Sequence, residues 1–195
     1  MTDPHELLDK AWSLLRRGAA DKKHAYATPV VATVSPDGVP RTRTVVLRRA
    51  VPQAGELWCY TDRRSVKARH VDAGATTLAW TFWDRRAQLQ VNAVGPARWL
   101  DAAAARSIFA SMPRHSRKAY ATLAAPGQSA SGATDGLPDD WEDKALADTD
   151  YAAAHFGVLV TGVQTLDILQ LDRAGHRRAR AERRGGGFIT EWLIP

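Results

Sequence analysis

Residues 28–48 read TPVVATVSPDGVPRTRTVVLR. Thr28 to Val34 is rich in β-branched residues, which suit a pleated, half-buried surface. Ser35-Pro36-Asp37-Gly38 then places turn formers in sequence: proline presets φ, aspartate bonds its own backbone, and glycine accepts a positive φ. Val39 to Arg48 reads as the returning strand. Alternation puts Val39, Arg41, Arg43, Val45 and Leu47 on one face, with Thr42, Thr44, Val46 and Arg48 on the other. A β-hairpin is the expectation.

Working outward, the same periodicity recurs. Glu56–Tyr60, Thr76–Trp83, Gln88–Leu100, Phe156–Gly162, Leu166–Leu171, His176–Glu182 and Phe188–Ile194 read as strands. Polar turns separate several of them: Asp84-Arg85-Arg86, Asp172-Arg173-Ala174-Gly175 and Gly185-Gly186-Gly187. Three segments read as helices. Residues from about 4 to 17 carry the stripe Leu7, Leu8, Ala11, Trp12, Leu14, Leu15, with Asp3 as N-cap, Pro4 in the first turn and Gly18 as the stop. Ser65–Ala73 is a short helix with Ser65 as its cap, and Asp101 caps a helix that runs to Phe109 and ends before Pro113. Residues of about 121–140 are rich in Ala, Gly, Ser, Pro and Asp without periodicity, and read as one long loop. The sum is a mainly β, antiparallel barrel with helices packed outside, formed by residues 1–195 as a single domain.

Composition narrows the chemistry. Among 195 residues, 45% hydrophobic content with seven tryptophans is too much apolar surface for a disordered chain. The single cysteine, Cys59, excludes an intrachain disulfide and a thiolate-rich zinc site; on an alternating strand it reads as a small core residue. No apolar run approaches the roughly 18 residues of a membrane-spanning helix, and the first residues lack a signal-peptide apolar block, so a cytoplasmic protein is expected. The six histidines are scattered without metal spacing, and no metal is expected. There is no G-x-G-x-x-G, no Walker-type loop and no G-x-S-x-G elbow.

What remains is basic. The net charge is +6, concentrated in Arg41, Arg43, Arg48, Arg49, then Arg63, Arg64, Lys67, Arg69, then the run of arginines from Arg173 to Arg184. Such clusters suit an anionic partner or a solvated surface. They lack the aromatic stacking register of a nucleic-acid binder, and none is expected as a partner. Residues Tyr60 to Lys67 run from a strand end into a helix start, where hydroxyls, an ammonium and helix N–H groups could converge on a phosphate.

Several of these residues resemble, in order and spacing, the pyridoxamine 5′-phosphate oxidase family. They are Arg43-Thr44-Val45-Val46-Leu47-Arg48, Tyr60-Thr61 with Ser65 and Lys67, Gln90-Val91 before Gly95, Ser111-Met112-Pro113 with Ser116, Gln128-Ser129, and the closing Trp192-Leu193-Ile194-Pro195. The resemblance spans about residues 27 to 195. It implies an FMN-binding split β-barrel, a homodimer with flavin between the subunits, and oxidoreductase chemistry on a small molecule. Carried over by position, Arg43 and Lys67 are the expected phosphate cations. Ser65, Tyr60 and Thr61 would sit near the phosphate, ribityl chain or ring, and Thr44, Val45, Val46 and Leu47 would line the flavin through their backbone. Gln90 would hydrogen-bond the ring, although Gln88 shares its strand face and a two-residue slip stays open. Gln128 and Ser129 would reach across from the partner chain, Arg180 matches the family's flavin-contacting arginine with one residue inserted at the turn of the last hairpin, and Arg48, Ser116 and Arg178 would hold substrate.

The departures are as informative. Val66 stands where the family has a basic residue, Leu169 replaces a flavin-contacting tryptophan, and Ile108 and Met112 replace a tyrosine and an arginine that hold the substrate's phosphate in the oxidase. The substrate-binding Arg-x-His is altered to His176-Arg177-Arg178. The reading is an FMN-dependent oxidoreductase whose substrate is not pyridoxamine or pyridoxine phosphate. The alternative is a non-catalytic flavin- or haem-binding split-barrel protein, with His155 or His176 as candidate iron ligands.

Overall fold

The computed structural model describes residues 3–74 and 76–195. Ten strands appear in chain order: β1 (Val30–Val34), β2 (Pro40–Thr44), β3 (Leu47–Val51), β4 (Glu56–Asp62), β5 (Thr77–Asp84), β6 (Leu89–Trp99), β7 (Phe156–Gly162), β8 (Thr165–Gln170), β9 (Arg177–Arg184) and β10 (Gly187–Leu193). The helices are α1 (Pro4–Ala20), α2 (Val66–Asp72), α3 (Ala102–Ala110) and the single turn α4 (Arg114–Arg117). Short 3₁₀ turns add Ala25–Ala27, Lys118–Tyr120, Trp141–Asp143 and Ala147–Ala154. Residues 121–140 carry no regular element, as their composition predicts. The 3₁₀ turns after Met112 were invisible in the pattern, because such turns have no apolar period long enough to register.

The hairpin of residues 28–48 forms, with one correction. The returning segment is two strands rather than one. Pro40–Thr44 pairs antiparallel with β1, while Leu47–Val51 pairs with β4, and the chain changes partner at Val45–Val46. The path β3–β4–β7–β6–β5–β1–β2 therefore begins and ends on the two halves of one bent segment. The ladder curls into a split barrel without closing on itself, and β8, β9 and β10 extend from the far edge of β6. Strand β6 serves both sheets, pairing with β8 from Leu89 to Val94 and with β7 from Ala97 to Trp99. Gly95 sits at that handover. A Cβ there would stand 2.0 Å from the Gly162 carbonyl oxygen, so the two backbones can cross only with glycine.

Two cores result. Alternate residues of the strands, among them Val31, Leu57, Cys59, Trp80, Phe82, Val91 and Ile168, fill the barrel, and α1 covers it through Leu7, Leu8, Trp12 and Leu15. A second cluster (Phe109, Met112, Tyr120, Trp141, Phe156 and Val160 among others) lies outside the β4–β7 wall beneath α3 and the 3₁₀ turns. Burial holds the Cys59 thiol up to about 11, so it is protonated at neutral pH and serves packing. No helix among the described residues is long and apolar enough to cross a membrane.

Gly18 does not stop α1, which continues to Ala20. Its role is contact: an added Cβ would lie 2.6 Å from Tyr26 Cβ and 2.8 Å from the Tyr26 carbonyl carbon. Helix propensity favours Gly18→Ala by about 1 kcal/mol, but overpacking against backbone costs about 1–3 kcal/mol. We expect the variant to melt lower, by up to about 8 °C. A melting temperature at or above the parent's would show that the helix and Tyr26 part freely.

Candidate functional site

The change of partner at Val45–Val46 makes one wall of a cleft of about 320 Å³. Val45 still gives its N–H to the Pro29 carbonyl, ending the first ladder, and Leu47 opens the second. Across from this bend, the end of β4 supplies Tyr60, Thr61 and Asp62, and the start of α2 supplies Ser65 and Lys67. Thr28, Ala119, Tyr120 and Pro126 complete the lining. Arg48 stands at the mouth with its guanidinium 5.0 Å from the centre of the Tyr60 ring.

The electrostatics of this cleft are one-sided. Among the described residues the Lys67 ammonium reaches only the Ser65 hydroxyl, at 3.4 Å, and that hydroxyl lies 3.2 Å from Thr61 Oγ1. Burial, with help from the Arg43 charge, lowers the Lys67 pKa, against the opposing pull of Cys59 and Asp62. Burial likewise lowers Arg43. Asp62 offers Lys67 no pairing, because both its oxygens are taken by Arg64 at 2.7–3.2 Å. Neither Arg43 nor Lys67 has a carboxylate within 4 Å among the described residues. Two partly desolvated cations and two hydroxyls without a counter-ion are costly for the protein alone and suit a dianion. The opposite wall, Val45, Val46, Ala119, Tyr120 and Pro126, is apolar and suits a flat ring.

The position of each predicted residue is now plain. Thr44, Val45, Val46, Arg48, Tyr60, Thr61, Ser65 and Lys67 line the cleft, and Arg43 lies beside it, near enough to Lys67 for its charge to lower that lysine's pKa. Leu47 is in the core, so only its backbone is available. Ser65 occupies the N-cap position, yet its side chain bonds no helix N–H; the hydroxyl is turned toward Thr61 and Lys67 instead. Gln90 is on the outer face of the sheet, paired in register with Trp83 and Leu169, and Arg178 and Arg180 continue that face. Arg178 is held by Asp167 at 2.7 and 2.9 Å, which raises its pKa, and Arg180 lies 3.6 Å from Glu191. Gln128 and Ser129 are exposed on the long loop, and Ser116 sits in α4 away from the cleft. One chain thus lines the cleft with half of the predicted set; Arg43 and the Leu47 backbone adjoin it, and the rest stand on the outer face, the long loop and α4.

Neither candidate iron ligand lines the cleft. His155 Nδ1 is 3.0 Å from the Tyr120 carbonyl, and His176 Nδ1 accepts from Asp172 N in the β8–β9 turn. A wider hollow of about 670 Å³ at that turn is lined by Gln88, Leu171, Asp172, Arg173 and His176, with His176 Nδ1 and one Asp172 carboxylate oxygen accepting from N–H groups of the turn. Ile108 and Met112 pack into the second core rather than facing the cleft. Sequence reading missed Tyr120, Pro126 and Ala119, which lie in segments with no period to place them.

Residues 9–101 match the family model described as pyridoxamine 5′-phosphate oxidase, FMN-binding domain. The chain is 30% identical over 116 residues to a pyridoxine/pyridoxamine 5′-phosphate oxidase of Erythrobacter litoralis, a match covering 60% of this chain and about half (52%) of that relative. Among solved structures it superposes on a pyridoxamine 5′-phosphate oxidase-related, FMN-binding protein of Nostoc punctiforme with a TM-score of 0.77, at 18% identity, over 95% of this chain and 96% of that one. It also superposes on PhzG of Burkholderia lata, solved with tetrahydrophenazine-1-carboxylic acid, with a TM-score of 0.71 at 16% identity, over 100% and 94% of the two chains. At those identities the two structures speak for the split-barrel fold, and the matched domain adds the cofactor class. The split-barrel fold, the phosphate-suited cleft and the match of residues 9–101 to an FMN-binding domain agree, and the chain is similar to pyridoxamine 5′-phosphate oxidase-related, FMN-binding split-barrel proteins.

Proposed function

We propose that the cleft of Arg43, Lys67, Ser65 and Thr61 holds the phosphate of FMN, and that the protein is an oxidoreductase acting on a small molecule other than pyridoxamine or pyridoxine phosphate. The observation that carries this reading is the uncompensated pair of partly buried cations. When bound, FMN would supply two-electron redox chemistry, taking a hydride equivalent from a reduced substrate and passing the electrons to oxygen or another acceptor. The chain's own residues bind and orient. Arg43, Lys67, Ser65 and Thr61 would hold the phosphate by charge-assisted bonds, Val45, Val46 and Tyr120 would face the ring, and Arg48, stacked on Tyr60, would offer a cation to the substrate. The loss of a second phosphate site rests on Ile108 and Met112, whose side chains are apolar and turned into the core.

A homodimer belongs to the same reading. The outer sheet face bears Val30, Val34, Trp83 and Ile189, each at least 41% exposed, around Gln90, Leu169 and Arg180. Covering that face with a second copy would remove apolar surface from water and bring Gln90, Gln128, Ser129 and Arg180 toward a partner's cleft. The test is a visible spectrum of the protein before and after adding FMN and removing the excess. About one FMN per chain is expected, together with dimeric mass in solution and little turnover of pyridoxamine phosphate. Absence of FMN retention at micromolar protein would sink the reading, and efficient oxidation of pyridoxamine phosphate would sink its substrate clause.

A further inference from the structure

Arg43 is anchored from behind. Its NH1 group points at three acceptors: the Val31 carbonyl at 3.3 Å, the Arg41 carbonyl at 2.8 Å and the Thr33 hydroxyl at 2.8 Å. Thr33 is fully inside the protein, and its hydroxyl is also 3.0 Å from Nδ1 of His70, itself buried on α2. A hydroxyl has one hydrogen. It also has two lone pairs, so Thr33, having accepted from Arg43, either gives that hydrogen to an unprotonated Nδ1 or accepts a second bond from Nδ1–H; a neutral His70 completes the link from Arg43 in either tautomer. The surroundings favour that state. Burial, then Arg43 and Arg41 of β2 and Arg69 of its own helix, lower the His70 pKa, with Asp37 of the β1–β2 turn opposing. The Nε and NH2 groups of Arg43 bond no other described residue.

We infer that Thr33 and His70 are positioning residues for Arg43: by occupying NH1 from the core side, they leave Nε and NH2 of the guanidinium for the phosphate of FMN. The inference rests on the phosphate reading of the cleft. It adds that the guanidinium is preorganised, so that less freedom is lost when the anion binds. A histidine doing no more than joining α2 to β1 would affect every ligand alike, whereas a relay to Arg43 affects only ligands that carry phosphate.

FMN and riboflavin differ by that phosphate, so the two are titrated by fluorescence quenching against the full-length protein and its variants. Thr33→Val and His70→Phe are expected to weaken FMN on the order of tenfold, as loss of one hydrogen bond to a charged group does. Riboflavin should change less than about twofold, because no phosphate contact is at stake. Thr33→Ser, which keeps the hydroxyl, and His70→Asn, which keeps an acceptor near Nδ1, should restore FMN to within about threefold of the parent. Equal losses for FMN and riboflavin, or no FMN loss in Thr33→Val, would overturn the relay while leaving the cleft assignment intact. A parent protein that binds neither ligand would overturn both. Should Thr33→Val fail to fold, the His70→Phe and His70→Asn pair decides by itself.

Discussion

Lys67→Met is expected to abolish FMN retention while making the ligand-free protein more stable. The ammonium is largely withdrawn from water and touches one hydroxyl at 3.4 Å, so methionine, of similar length and apolar, fills its space without the desolvation cost. Losing a charge-assisted contact to a phosphate costs about 1.5–3 kcal/mol, or roughly 10–150-fold in affinity. The ligand-free protein should gain about 1 kcal/mol, which raises the melting temperature by about 2–4 °C. The pH dependence separates this account from simple repacking. Because the folded-state pKa of Lys67 lies below its ordinary value, the folded protein sheds this proton first as pH rises. Its contribution therefore grows between the lowered value and the ordinary one near 10.4, and is lost again as pH falls through the lowered value. The parent should show that alkaline gain relative to Lys67→Met. An unchanged FMN affinity, or a variant less stable than the parent at neutral pH, would contradict the phosphate role.

Arg117→Ala should be the most damaging single change to stability. The guanidinium is 2% exposed and lies 4.4 Å from the centre of the Phe109 ring. It donates to the carbonyls of Phe109, Ala110 and Met112, where α3 ends, and to Leu146, Thr149 and Asp150 across the second core. One side chain thereby closes a helix C-terminus and ties it to the 3₁₀ segment Ala147–Ala154. Alanine leaves those carbonyls unpaired beside a cavity, a loss of about 3–5 kcal/mol and on the order of 6–20 °C in melting temperature. Asp150, the formal counter-ion, is 70% exposed, so Asp150→Ala should cost under about 1 kcal/mol. FMN affinity should fall with Arg117→Ala as well, since Ala119 and Tyr120 of the cleft wall follow directly on this anchor. A melting temperature within about 2 °C of the parent would show that the carbonyls find water instead.

The strands were legible because alternation and turn chemistry are local. Thr28–Val34, Ser35–Gly38 and Phe156–Gly162 each announce themselves within a few residues. The Asp101 cap was legible for the same reason, and the structure shows its carboxylate accepting from Ala103 and Ala104 N–H. Misreadings fell where a distant group decides. Gly18 looked like a stop because the Tyr26 backbone against it is eight residues away in sequence. Val39–Arg48 reads as one strand because no turn former interrupts it after Pro40, while its bend exists only where two different partners, β1 and β4, compete for it. Thr33 and His70 gave no signal, one being a single polar residue on an apolar strand and the other one of several polar residues on a short helix.

What this sequence determined by itself is its class: a mainly β chain of hairpins with peripheral helices, carrying motifs spaced as in one flavoprotein family. Periodicity, turn residues and motif order are properties of neighbours along the chain, and they survive without coordinates. What only the tertiary structure decided is which charges stay unpaired. Arg64 and Lys67 are three residues apart and indistinguishable in composition, yet Arg64 is neutralised by Asp62 and Lys67 is left with a hydroxyl. Arg178, in the densest basic run, is spent on Asp167. Desolvation and ion pairing act through space over a few ångströms, so the cation free to hold an anion is chosen by packing and not by its place in a cluster.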